Sequence, residues 1–254
     1  MQTPTMRGGS ASKWGVLGRD ILEARTTLLV VLILVVIQFL LERVGGSRDW
    51  PEIFLVVGLS RQGLLEGLVW QPFSYAWIHG NWVHLMINAF GLLAIGPRIE
   101  RIGGGRLVLM ILVGGLLAGG LVHLLIGGEV GLTPLVGMSG GVTAMLLWLT
   151  GVSPGSKMWP LPVSGKNLGI GLLLASAILA LMNPSLGIPY LSGVGRMLGG
   201  YADGSVSHAC HLGGGLLGWG MARWTLRPRV TLATLQKERA RRESAGGPDE
   251  RLMR

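Results

Sequence analysis

One cysteine, Cys210, stands in 254 residues, so no intramolecular disulfide framework can staple the chain. Charge is equally scarce. Asp, Glu, Lys and Arg make up 14% of the sequence, against about 25% in an ordinary soluble domain. With a mean hydropathy of +0.52, that excludes a typical water-soluble globule. Disorder is excluded by the 49% of hydrophobic residues. No G-X-Y period runs through the 43 glycines, which excludes collagen. There is no His-Glu-x-x-His, and no internal repeat of the kind transporters are built from.

What is present is apolar and rich in glycine, as expected where helix backbones approach closely inside a membrane. Six apolar segments stand out, at 26–41, 77–96, 107–126, 138–152, 168–182 and 206–224. The first, fourth and fifth fall short of the ~20 residues that span a bilayer core, so they must snorkel, thin the bilayer or begin below its surface. The first follows Arg7, Lys13, Arg19 and Arg25 but ends at Glu42-Arg43 without a small-residue cleavage site. It reads as a retained helix, not a signal peptide. The expected fold is all-α: a polytopic membrane protein of six transmembrane helices. A cytoplasmic segment 1–25 precedes a membrane domain 26–225, and a basic cytoplasmic tail 226–254 follows.

The net charge of +9 fixes the orientation. With both termini inside, 18 of the 22 Lys and Arg lie on the cytoplasmic side, and only Arg43, Arg48, Arg61 and Arg196 lie outside. That is the positive-inside pattern. The basic residues then meet anionic lipid, and no nucleic-acid partner is expected. Trp50, Trp70, Trp77 and Trp82 fall near the outer interface and Trp14, Trp159 and Trp224 near the inner one, as an aromatic belt does. The loop at 44–74 is too long for a plain connector, and its apolar stretch Ile53-Phe54-Leu55-Val56-Val57 suggests that it lies in the membrane interface.

Polar groups inside apolar segments are costly and therefore candidate site residues. Four stand out: His84 and Asn88 in the second segment, Ser139 at the head of the fourth, and His211 in the sixth. All three segments run from outside to inside. At 1.5 Å per residue, His84 and His211 lie ~10 and ~8 Å deep. The short fourth segment must start ~10 Å below the outer surface of a ~30 Å core, which places Ser139 at the same depth. Ser139 sits in Gly137-Met138-Ser139-Gly140-Gly141, where a tight turn puts a hydroxyl at a helix N-terminus whose free N–H groups can hold an oxyanion. Serine needs a base, and an imidazole has a suitable pKa. Gly214 and Gly218 follow His211 at i+3 and i+7 and allow close helix packing. His84 and Asn88, at i and i+4, share one face and can aim two donors at a developing oxyanion.

Gly-x-Ser-Gly heading the fourth segment, His with Gly at i+3 and i+7 in the sixth, and His-x-x-x-Asn in the second resemble the rhomboid family of intramembrane serine proteases. Trp70, His79, Gly96 and Glu100 add to the likeness, which covers roughly residues 25–225. The resemblance implies Ser139 as nucleophile and His211 as general base, a dyad without an acid. It implies an oxyanion hole of His84, Asn88 and the Ser139 N–H, with Gly137, Gly140, Gly214 and Gly218 supporting the site. It further implies a six-helix bundle around a water-filled cavity open to the outer side, a bacterial inner-membrane location, transmembrane proteins as substrates, and no metal or cofactor. Two positions depart from the family pattern. Gln71 follows Trp70 where an arginine that anchors the loop by hydrogen bonds is common, so that anchor is missing, and Thr143 stands four residues after Ser139 where an aromatic usually packs on the histidine. His211 must then be oriented by something else.

Two alternatives remain open: a pseudoprotease of the same fold that binds membrane proteins uncut, and a small-solute or metal transporter. Retention of Ser139 and His211 argues against the first. His208, three residues from His211, makes a metal pair conceivable, but no carboxylate or second cluster adjoins it. His123 and His79 read as satisfied interfacial histidines, Cys210 as a small buried residue, and Glu129 and Asp203 as solvated.

Overall fold

The computed structural model describes residues 18, 20–45, 51–127, 134–158, 162–197, 206–227 and 232–245. Trp14, Arg48, Trp50, Glu129, Trp159 and Asp203 lie outside them. The helices are α1 (Arg25–Arg43), α2 (Pro51–Val57), α3 (Arg61–Leu65), α4 (Gln71–Ser74), α5 (Trp82–Val122), α6 (Ser139–Val152), α7 (Gly165–Leu181), α8 (Leu191–Met197), α9 (His208–Thr225) and α10 (Leu232–Ala245). Among the described residues there is no strand. Among these residues the extended pairings are the isolated bridges Leu59–Leu135 and Lys157–Ser164. The expected all-α class therefore holds. Two helical stretches, Arg25–Arg43 and Trp82–Ile126, are long and apolar enough to cross a membrane, and α6 and α7 are shorter apolar helices.

The second and third apolar segments merge into α5. Along a straight helix Gly91 and Gly115 would lie about 36 Å apart. Yet a Cβ on Gly91 would touch Val142, and one on Gly115 would touch Ala144 and Gly141. Both arms of α5 therefore flank one turn of α6, and the chain folds back at Gly103 (φ −141°) and Gly104 (φ 72°, ψ 176°). Only glycine holds the second of these conformations without strain. The arms are 82–102 and 105–122. The first arm starts at Trp82, later than the apolar run suggests, because Asn81 caps it, its side chain accepting from the His84 N–H at 2.9 Å. A 3-10 turn, Tyr75–Trp77, precedes it.

Glycine contacts give the helix directions. Gly140 faces Gly214 and Ala144 faces Gly218, so α6 and α9 run parallel. Ala118 faces Gly213, Gly119 faces Cys210, and Gly114 faces Leu217, so arm 105–122 runs antiparallel to α9. Gly165 meets Ser153 and Gly169 meets Leu147, with Thr150 between them, so α7 returns antiparallel to α6. One end of the bundle thus gathers the Gly103–Gly104 turn, the start of α7 and the end of α9. It carries Arg98, Arg101, Arg106, Lys157, Lys166 and Arg223, six of the cations assigned to the inside. The core is built from Leu34, Leu92, Ile99, Ile111, Met145 and Trp148. The outward faces stay apolar, with Leu29, Phe39, Met86, Ile87 and Phe90 exposed, an extent of bare hydrocarbon that a water-facing surface rarely carries.

The first turn of α1 has no cap of its own. Glu100 supplies one from arm 82–102: its carboxylate accepts from the Thr26 and Thr27 N–H groups at 2.9 and 3.1 Å and from Thr27 Oγ1 at 2.9 Å. Gly96 and Gly105 make room for Thr27 and Thr26. An anion at a helix N-terminus also opposes the helix dipole favourably. Thermal unfolding in detergent should therefore show a loss of roughly 1 kcal/mol or more in Glu100→Ala, which leaves the Thr26 and Thr27 N–H groups uncapped. An unchanged melting point would refute this role.

The described part of the loop at 44–74 folds as three short helices, α2, α3 and α4, held by polar contacts. Gln71 is fully buried. Its Oε1 accepts from the Ser60 N–H at 3.0 Å, and its Nε2 donates to the Leu55 carbonyl at 2.8 Å. Ser74 Oγ donates to the Val57 carbonyl at 2.6 Å, and Trp70 Nε1 to the Val56 carbonyl at 3.0 Å. Gln71 thus performs the anchoring that its departure from arginine had put in question. Gly63 lies against it, with no room for a Cβ. Gln71→Ala leaves a buried donor and acceptor unpaired, so it should cost roughly 2 kcal/mol or more. Gln62→Ala, on an exposed pair with Glu66, should cost little in the same melting assay.

The basic tail contains helix α10, exposed wherever its side chains are described and carrying an i,i+4 pair, Arg239–Glu243.

Candidate active site

Ser139 is the first residue of α6 and half-buried. The turn that delivers it is set by Gly137, whose φ is 101°, a conformation that strains any residue with a Cβ. A second demand falls on the same atom: a Cβ there would lie 2.7 Å from Cε1 and Nε2 of His84. The missing side chain of Gly137 is therefore what lets the His84 ring reach the segment preceding Ser139. The Gly137 N–H donates to the Tyr75 carbonyl at 2.9 Å. Two residues earlier, Leu59 and Leu135 exchange backbone hydrogen bonds at 2.9 and 2.8 Å. The loop at 44–74 and the 3-10 turn that follows it are thus each fastened to the lead-in of Ser139.

His84 is half-buried, and its ring meets that of His79 edge to face, centroids 5.0 Å apart. His79 is not interfacial. It is fully buried behind His84 and accepts a long hydrogen bond, 3.5 Å, from the Met138 N–H. Asn88 is 3% exposed. Its Nδ2 donates to the His84 carbonyl at 2.9 Å, which fixes the amide on the His84 face and uses one of its two hydrogens.

His211 lies in the first turn of α9, and Ser207 caps that helix, its hydroxyl accepting from the Cys210 N–H at 3.1 Å. The heads of α6 and α9 meet main chain to main chain. A Cβ on Gly214 would fall 2.1 Å from the Gly140 carbonyl oxygen, one on Gly218 would fall 2.0 Å from that of Ala144, and Gly140 abuts Cys210 Sγ. Ser139 and His211 each adjoin this contact in sequence. The structure thus gathers the helix turns carrying Ser139, His84, Asn88 and His211 at the end of the bundle away from the basic turn. Cys210 is fully buried, as expected, and its thiol packs against Gly140. Among the described residues no three His, Cys, Asp or Glu gather as a metal would require.

Thr143 does not stand on His211. Its hydroxyl donates back to the Ser139 carbonyl at 2.8 Å. The ring beside His211 is that of His208, edge to face with centroids 6.0 Å apart. Sequence reasoning missed two residues of this assembly. Tyr75 is fully buried, and its hydroxyl donates to the Leu116 carbonyl at 2.8 Å. Ser207 was legible as a helix-capping serine.

A family model described as "Rhomboid domain" matches residues 66–228. The chain is 29% identical over 151 residues to "Rhomboid protease GlpG" of Klebsiella pneumoniae subsp. pneumoniae, covering 58% of this chain and 49% of that one. It is 26% identical over 212 residues to the protein of the same name in Yersinia enterocolitica, covering 79% and 63%. It is 34% identical over 97 residues to "RHOMBOID-like protein 5" of Arabidopsis thaliana, covering 38% and 31%. The chain thus spans about half the length of the first of these relatives.

Proposed function

The chain belongs to the rhomboid family, and we propose that it is an intramembrane serine protease that cuts transmembrane proteins near the outer face of a bacterial inner membrane. In this reading the bundle crosses the membrane six times, α5 supplying two crossings, and both termini are cytoplasmic. Ser139 is the nucleophile. His211 takes its proton as the hydroxyl attacks the scissile carbonyl, then returns a proton to the leaving amine. The Ser139 N–H, His84 and the remaining Asn88 amide hydrogen stabilise the oxyanion. A helical substrate must unwind before its amides are open to attack, so helix-weakening or small residues are expected near the cut.

The observation that carries the reading is the double demand on Gly137: one missing side chain both forms the turn into Ser139 and admits the His84 ring. The test is labelling of the purified protein by a fluorophosphonate, with the adduct mapped to Ser139. A folded wild type that stays unlabelled would sink the dyad.

A further inference from the structure

The question left by Thr143 is what holds the general base in place. The register between arm 105–122 and α9 answers it. Down this antiparallel seam Gly114 meets Leu217, Ala118 meets Gly213, and Gly119 meets Cys210. One turn further, where the arm gives way to the π-helical turn His123–Gly127, the facing pair is polar: His123 Nδ1 and Ser207 Oγ lie 2.8 Å apart. Ser207 is also the cap of α9, accepting from the Cys210 N–H, and its carbonyl accepts from the His211 N–H at 3.1 Å. One serine therefore links an imidazole on a neighbouring helix to the backbone of the base. A hydroxyl has one proton and two lone pairs. The Cys210 N–H takes one lone pair, which leaves the hydroxyl a proton and a second lone pair, so it bonds His123 Nδ1 in either neutral tautomer of the ring.

We propose that His123 is a positioning residue for the reaction, fixing His211 through the shared hydrogen bonds of Ser207. This rests on the reading of Ser139 and His211 as the dyad. His123 touches neither substrate nor reacting atoms. Its role is to hold the first turn of α9 at one height against arm 105–122. Without it the glycine contacts still pack the helices, but that turn loses its lateral tie. Near-attack geometry is sensitive to small displacements of this kind.

The experiment is steady-state cleavage of a fluorogenic transmembrane peptide by the full chain in detergent, beside fluorophosphonate labelling. His123→Ala is expected to lower kcat about tenfold with KM within twofold, and to slow labelling by the same factor. His123→Asn, whose amide can replace Nδ1 in that bond, should recover most of the loss. In a Ser207→Ala background His123→Ala should add nothing, since both remove one linkage. Wild-type kcat in His123→Ala, equal losses in the Ala and Asn variants, or losses that multiply in the double variant would each overturn the proposal. Should His123→Ala fail to fold, Ser207→Ala removes the same bond from the other side, and unchanged kcat there overturns it equally. A wild type that does not label fails the dyad reading. A labelling wild type with an equally fast His123→Ala fails only the positioning role.

Discussion

Ser139→Ala is expected to lower turnover of a transmembrane substrate by about 10⁴-fold or more, with the melting profile in detergent unchanged. His211→Ala should fall to the same floor, and the double variant no further, because the nucleophile and its base act as one unit. The expectation is firm on fold because neither side chain is used structurally: the first turns of α6 and α9 are held by Gly140, Cys210, Gly214 and Ser207. His84→Ala should be milder, about 10²–10³-fold, as for the loss of one oxyanion donor. A Ser139→Ala variant with measurable turnover would remove the dyad. Losses that multiply in the double variant would show that the two residues serve separate steps.

A large loss of stability is expected of Gly214→Ala, as of Gly218→Ala, which meets the Ala144 carbonyl as closely. At Gly214 the added methyl would sit 2.1 Å from the Gly140 carbonyl oxygen and 2.8 Å from its carbon. Neither is the far end of a flexible side chain that could turn away. The helices must separate by more than 1 Å, opening the seam that also holds Gly218 against Ala144. Overpacking of a close-packed core costs about 1–3 kcal/mol, and an immovable backbone places this change at the upper end. Gly220→Ala is the control. It lies on the same helix with nothing within 4 Å of the new methyl, so it should be neutral or gain up to about 1 kcal/mol of helix propensity. Equal melting of Gly214→Ala and Gly220→Ala would refute the close-contact account. Because the same seam spaces Ser139 from His211, Gly214→Ala should also lose activity at temperatures where it is still folded.

Much of this site was legible before any coordinates. Spacing alone set His84 and Asn88 on one face, and Asn88 does bond back to the His84 carbonyl. The glycines at i+3 and i+7 from His211 announced a tight seam, and they form one. What the sequence concealed were long-range pairings between residues unremarkable in their own segments. Gln71 looked like a lost anchor because its partners, the Ser60 N–H and the Leu55 carbonyl, are backbone groups that no side-chain pattern marks. His79 looked interfacial because its depth depends on how the outer loop folds over it. His123 looked incidental because its partner lies 84 residues away. Periodicity also ended the second apolar segment near Gly96, whereas the helix continues to the reversal at Gly103–Gly104. Charge there masks helical continuity, since Arg98, Glu100 and Arg101 break the apolar run without breaking the hydrogen-bonded ladder.

The two fastenings of the loop at 44–74 and the 3-10 turn after it to the lead-in of Ser139 bear on how a substrate enters. Leu59 grips Leu135, and the Tyr75 carbonyl grips Gly137, so the loop and the approach to the nucleophile form a single mechanical piece. Such a piece is a door jamb, not a door. Any pull on the loop drags the Ser139 hydroxyl along, so on the proposed reading the opening that admits a substrate is hinged elsewhere in the bundle.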